Sequence, residues 1–131
     1  MPDPEEIQEW LDKSEEDLRV SEVLLESGQE LPLPCMFHLQ QMLEKLLKAM
    51  IIARQRSIER THDLDRLADI ADVRDIEGLL DLCDVLNQFA VNGRYPGDLP
   101  VLSIREAQHY HDVAVALREQ LLRRIQGSAP K

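Results

Sequence analysis

The sequence predicts an all-α protein folded as a bundle of four to five helices. Of its 131 residues, 44% are hydrophobic but only 4% are aromatic, and there are five glycines. This composition favours helices, because strands prefer aromatic and β-branched residues. Apolar residues also recur at spacings of three and four, which places them on one helix face. The length suits one core, so we expect a single helical domain over residues 1–126 and a frayed tail over 127–131.

The first predicted helix begins at Asp3, because aspartate caps helices well and Pro4 suits the first helical position. Its buried seam combines apolar residues with two serines, which would let a neighbouring helix approach closely. The members of the seam are Ile7, Trp10, Leu11, Ser14, Leu18, Ser21 and Leu25. Gly28 and the pair Pro32 and Pro34 are expected to stop this helix.

The second predicted helix covers residues 35–56 and is apolar on most of its circumference. Such a pattern indicates a central helix that is covered on several sides. The polar residues of this helix cluster at helical spacing on the remaining face. They are His38, Gln41, Glu44, Lys45 and Lys48.

Two shorter helices and one long helix are predicted to follow. The short helices cover residues 61–71, with Thr61 as the cap, and residues 76–91. Ser103 and Glu106 have the spacing of a capping box, in which each side chain bonds the backbone N–H of the other residue. They therefore predict the start of a final helix that ends near Gln126.

The stretch NGRYPGDLP interrupts the helical pattern between the last two predicted helices. Pro96 and Gly97 suit the central positions of a type II turn, since proline fixes its own φ and glycine tolerates the positive φ that follows. The turn does not explain Arg94, Tyr95 and Asp98. Arg94 has two interpretations, a tie between the turn carbonyls and Asp98 or a contact to an anion.

Charge is unevenly divided along the chain, whose formal net charge is −10. Most acids lie before the second helix and in residues 61–87, whereas the second helix and the C-terminal part carry more bases than acids. If those two basic parts pack side by side, Lys45, Lys48 and Arg94 would form a positive strip suited to phosphate or to an acidic partner. The alternative is that these are solvated helix faces.

Several classes of site are not expected. The longest apolar run, residues 49–53, is far shorter than the ~20 residues of a spanning helix, and the first ten residues are acidic, so we expect a cytoplasmic protein without membrane anchor or signal peptide.

Cys35 and Cys83 are interpreted as buried, reduced thiols in preference to a disulfide or metal site. His109 and His111 project about 200° apart on a helix. They cannot share one metal, and no cofactor is expected.

Three separate stretches, in order along the chain, resemble the HEPN domain family: FHLQQMLEKLLKAMIIA, THDLDRL and LNQFAVNGRYPGD. The opening WLDKSEEDLRVSEVLL resembles the first helix of that family. The resemblance implies a four-to-five-helix up-and-down bundle, often homodimeric, similar to the helical domain of kanamycin-type nucleotidyltransferases. It also implies a minimal nucleotidyltransferase as partner, in the manner of toxin and antitoxin pairs.

Ribonucleases of this family carry Arg, four to six further residues and then His. Arg94 occupies the place of the arginine, but the positions that should hold histidine are Leu99, Pro100 and Val101. Arg105 and His111 have the right count, yet they project about 120° apart on the final helix. Arg105 and His109 share a face but are too close in sequence. This departure from the motif argues against ribonuclease activity. Arg105, His109 and His111 remain weak catalytic candidates.

The function expected from the sequence is binding of a nucleotidyltransferase partner, with a nucleotide or RNA phosphate contact near Arg94. The candidate binding residues are Arg94, Tyr95, Asp98, Lys45, Lys48, His38 and Gln41. His38 has the alternative role of a hydrogen-bonded packing residue, and His62 that of satisfying the terminus of a short helix. Two other functions stay open, an RNA-cleaving toxin with a degenerate motif and a structural helical dimer without ligand.

Overall fold

The computed structural model describes residues 2–90 and 95–127, and these residues form five α-helices and one 3-10 turn, without a β-strand. The helices are α1 (Pro4–Glu26), α2 (Pro32–Ala53), α3 (Leu64–Ala71), α4 (Leu79–Asn87) and α5 (Ile104–Gly127), and the 3-10 turn is Pro96–Asp98. The predicted all-α bundle is confirmed. Most of the predicted tail, residues 128–131, lies outside the described residues. No helix of the described chain is long and apolar enough to span a membrane.

Helix α2 is the centre of the bundle and contacts each of the other four helices. Its large apolar side chains are buried on nearly all sides, and they are Met36, Leu39, Met42, Leu43, Leu46, Leu47, Met50 and Ile51. Apolar residues from the other helices complete one hydrophobic cluster around them. The predicted central role of the second helix is therefore confirmed.

Helix α1 lies antiparallel against α2, and its two seam serines are fully buried. The Ser14 Oγ donates a hydrogen bond of 2.9 Å to the Met42 carbonyl, and the Ser21 Oγ lies 3.0 Å from the Cys35 Sγ. Because serine is small, α1 can lie close enough to α2 for each serine hydroxyl to contact that helix directly. The close approach predicted from the seam is confirmed.

Two helix starts agree with the sequence prediction. The Asp3 carboxylate accepts a hydrogen bond of 2.9 Å from the Glu5 N–H at the start of α1. At the start of α5, the Ser103 N–H donates to the Glu106 carboxylate at 3.0 Å, and the Glu106 N–H donates to the Ser103 Oγ at 3.1 Å. This reciprocal pair is the predicted capping box.

The predicted bounds of the second helix were wrong by three residues at each end. Helix α2 already includes Pro32 and Pro34, because the first turn of a helix does not need the N–H groups that proline lacks. It ends at Ala53, where Gln55 adopts a left-handed φ of 59°. The Arg56 N–H then bonds to the Ile51 carbonyl at 3.0 Å, as in a Schellman motif.

The predicted bounds of the two short helices also need correction. Helix α3 is capped by Asp63, whose carboxylate accepts from the Asp65 N–H at 3.0 Å, and not by Thr61. Thr61 instead accepts from the Asp63 N–H at 3.1 Å, so its hydroxyl stabilises the turn before the helix. Helix α4 starts after Gly78, which has a left-handed φ of 85°. That helix ends at Asn87, with Gln88 as its C-cap, so the predicted end near residue 91 was wrong.

The turn between α4 and α5 differs from the predicted type II turn. Pro96–Asp98 form one 3-10 turn, in which the Asp98 N–H donates to the Tyr95 carbonyl at 2.9 Å. Gly97 is not among the residues with positive φ. The glycine is therefore not required here for a left-handed conformation, and the type II assignment was wrong.

The side chain of Asn87 joins the end of α4 to the start of α3. Its Oδ1 accepts a hydrogen bond of 2.9 Å from the Leu64 N–H, and its Nδ2 donates to the Asp63 carboxylate at 3.2 Å. One amide thus satisfies a free N–H at the first turn of α3 and orients the residue that caps it.

We expect Asn87→Ala to lower the free energy of unfolding by about 1–2 kcal/mol, because it removes a helix cap and a bridging hydrogen bond together. The matched control is Gln88→Ala at the next, exposed position, which should change it by less than about 0.5 kcal/mol. Urea unfolding followed by circular dichroism measures both. Equal effects of the two variants would contradict the bridging role.

Both cysteines are free and fully buried, as predicted. Burial raises the pKa of the Cys83 thiol to about 12, with further contributions from Asp65 and Asp84. Burial also raises the pKa of Cys35, although its hydrogen bond with Ser21 opposes the change. Since the thiolate is the reactive form, both groups are protected in the folded protein.

We expect both thiols to react slowly with an aromatic disulfide reagent at mildly alkaline pH in the folded protein. In denaturant both should react at once, because unfolding restores access and an ordinary pKa. Absorbance of the released thiolate measures the two rates. Rapid labelling of the native protein would show that α2 or α4, the helices that carry the two cysteines, opens readily.

Candidate functional site

Asp17 of α1 is the centre of a polar cluster between α1 and α2, which we call the Asp17 cluster. Its side chain is 11% exposed, and its Oδ1 lies 2.9 Å from the His38 Nδ1. Its Oδ2 accepts from the Lys45 Nζ at 2.5 Å. Because a carboxylate can only accept hydrogen bonds, the Nδ1 of His38 carries the proton in this contact. Both carboxylate oxygens are thus used within the chain.

Glu44 of α2 is the centre of a second group, the Glu44 cluster. Its side chain is 6% exposed. The Oε1 accepts from the Gln40 Nε2 at 3.2 Å and from the His62 Nδ1 at 2.9 Å. The Oε2 accepts from the Lys48 Nζ at 3.2 Å, and the same ammonium lies 5.4 Å from the centroid of the Trp10 ring. A buried carboxylate needs such partners, because an unpaired charge loses its hydration on burial.

The two clusters decide what the lysines of α2 can offer to an anion. Lys45 and Lys48 are mostly buried and each pairs with a carboxylate of the chain, so their charge is largely compensated locally. Gln41, a further binding candidate, donates to the Gln40 side chain at 2.7 Å. The predicted approach of these lysines to Arg94 stays a prediction, because Arg94 lies outside the described residues.

The candidate catalytic residues on α5 lie in different environments. His111 is buried and its Nδ1 lies 3.0 Å from the Ser21 Oγ. Arg105 and His109 are exposed, and the His109 ring contacts that of Tyr110 edge to face, with centroids 5.2 Å apart. Arg105 and His111 therefore do not share an environment, which agrees with their predicted angular separation. The engagement of His111 with α1 points to a packing role.

An apolar depression, which we call the end groove, lies where the start of α2 meets the segment before α5. One part has a volume of about 270 Å³ and is lined by Leu33, Pro34, Phe37, Phe89 and Leu99. An adjoining part of about 330 Å³ is lined by residues 30–34 and 99–102. Val101 is 99% exposed at its edge, and Tyr95 on the same segment is 79% exposed. Asp98, a further binding candidate, is also exposed.

Comparison with known proteins identifies the domain. The family model described as "HEPN domain" matches residues 7–125. The chain belongs to the HEPN domain family. A crystal structure of TT1696 from Thermus thermophilus has the same fold, with a TM-score of 0.64 at 24% identity, over 93% of this chain and 97% of that one. A search of curated proteins gave no match.

Sequence reasoning identified several polar residues of this HEPN domain but not how they are combined. The sequence predicts His38 and Lys45 as binding residues, whereas it does not predict their partner Asp17. A signal was present, because Asp17 stands three residues after Ser14 and four before Ser21 and so shares the buried seam. The contact of His62 with Glu44 had no local signal, since it joins residues 18 positions apart.

We expect Asp17→Ala to lower the free energy of unfolding by about 2 kcal/mol, because it leaves Lys45 and His38 without their carboxylate. This is less than the 3–5 kcal/mol for breaking a fully buried pair, since these two side chains are 24% and 28% exposed and solvent screens them. The control is Glu16→Ala, whose pair with Lys13 is exposed and should matter by less than about 0.5 kcal/mol. Chemical denaturation measures both. Similar values for the two variants would contradict a structural role of the Asp17 cluster.

Proposed function

We propose that this HEPN protein is the helical binding partner of a minimal nucleotidyltransferase, in a toxin–antitoxin-like pair. The observation that carries the proposal is the end groove. Val101, the most exposed large apolar side chain of the described residues, lies at the edge of this concave apolar surface, and Tyr95 on the same segment is also exposed. Concave apolar surfaces of this kind are typical of protein interaction sites.

Binding suits the polar residues of this chain better than acid–base chemistry does. His38 and His62 each contact a buried carboxylate, and His111 contacts Ser21 inside the bundle. A general acid or base must instead reach the proton that it transfers on a substrate. These histidines serve the packing of α1, α2, α5 and the segment before α3, which leaves the surface of the bundle for a partner.

Two further expectations stay predictions. The nucleotide or RNA phosphate contact depends on Arg94, which lies outside the described residues. A symmetric homodimer is also still expected, with its interface unassigned. Both are compatible with a heterologous partner at the end groove.

The test is co-expression of the tagged chain with a minimal nucleotidyltransferase, followed by size-exclusion chromatography. We expect the two proteins to co-elute. Val101→Asn should weaken the complex about tenfold, because burying a valine side chain contributes roughly 1.5–3 kcal/mol and a tenfold change is about 1.4 kcal/mol.

The matched control is Val23→Asn, at a position on α1 that is 58% exposed and is not part of the end groove. It should bind like the unaltered chain. Circular dichroism checks that both variants keep their helical content. Absence of any complex at micromolar concentration would refute the proposed function, and equal weakening by both variants would place the partner elsewhere.

A further inference from the structure

We infer that the end groove takes a segment of the partner that combines apolar anchor side chains with flanking Lys or Arg side chains. The inference rests on the proposed function, because the nucleotidyltransferase would supply this segment. It adds the chemistry by which the groove would recognise it.

The floor and the rim of the groove differ in character. In the described residues that line it, the floor is made by Leu33, Pro34, Phe37, Phe89 and Leu99, none of which carries a charge. Glu30 is the charged residue among those lining the adjoining part, and exposed Asp98 immediately precedes Leu99. An apolar floor selects apolar anchors, while carboxylates at the rim select cations.

The charge of the whole chain favours the same partner. The formal net charge is −10, and residues 1–34 hold eleven acids against two bases. This field attracts a basic segment during the encounter and repels an acidic one. It also disfavours a second copy of this chain in the groove, since that arrangement would bring two acidic rims together.

The groove is suited to a short amphipathic segment. Its two parts share Leu33, Pro34 and Leu99, so they form one continuous surface along the start of α2. Apolar side chains at helical spacings of three and four could occupy both parts from one face of a helix. Basic residues on either side of that face would then lie near Glu30 and Asp98.

A defined peptide tests this chemistry without the natural partner. The probe is a synthetic helical peptide of about four turns, with leucines on one face and lysines beside them, and the comparison peptide replaces each lysine by glutamate. Fluorescence anisotropy with the full chain measures both affinities. We expect the lysine peptide to bind at least about tenfold more tightly, and Val101→Asn, but not Val23→Asn, to weaken it about tenfold.

A charge-reversal pair separates local recognition from the overall charge. Glu30→Lys and Glu119→Lys alter the net charge equally, but Glu119 is an exposed residue of α5 that does not line the groove. We expect Glu30→Lys to weaken the lysine peptide about three- to tenfold, and Glu119→Lys less than about twofold. Equal effects of the two variants, equal binding of both peptides, or no binding would overturn the inference.

Sedimentation of the free chain tests the second copy as occupant. A dimer that Val101→Asn dissociates would show that the groove binds another copy and would overturn the inference. The two proposals fail separately. A groove that binds the lysine peptide while the nucleotidyltransferase does not co-elute refutes only the proposed function, whereas co-elution that Glu30→Lys leaves unchanged refutes only the basic character of the segment.

Discussion

The burial of α2 among the other four helices is the constraint on which the rest of the structure depends. A helix that is covered on nearly all sides leaves little solvated surface for polar residues. Glu44 is nevertheless on this helix and is 4% exposed. Its charge is kept in the interior by Gln40, Lys48 and His62, so the segment before α3 must stay close to α2.

The same constraint explains the small and polar side chains on α1. To cover α2 closely, α1 presents Ser14 and Ser21 to it, and the two hydroxyls bond across the interface. Asp17 lies between them and provides the carboxylate for Lys45 and His38. These polar residues therefore serve to align the two helices, and removing one partner would leave another charge without compensation.

Outside the core, charged side chains form local ion pairs, and in one region several carboxylates lie close together. Arg124 of α5 bonds both carboxylate oxygens of Asp75, at 2.8 and 2.6 Å, and this hydrogen bonding lowers the pKa of the aspartate. Near the start of α3, by contrast, desolvation and the neighbouring Asp84 raise the pKa of Asp65. Protonation therefore favours the folded state there. Because the pKa of Asp65 is raised in the folded state, the free energy of unfolding falls as the pH rises from the ordinary pKa of aspartate through this raised pKa.

The sequence by itself determined the fold class, the central position of α2 and the start of α5, because these depend on hydrophobic periodicity and on capping pairs three residues apart. It also indicated the serine seam of α1. Tertiary structure decided what local patterns left ambiguous. Asp63 and not Thr61 caps α3, with Asn87 supporting it from 24 residues away. The pairing of polar side chains and the shape of the end groove likewise join distant segments, and spacing within one helix carries no information about them.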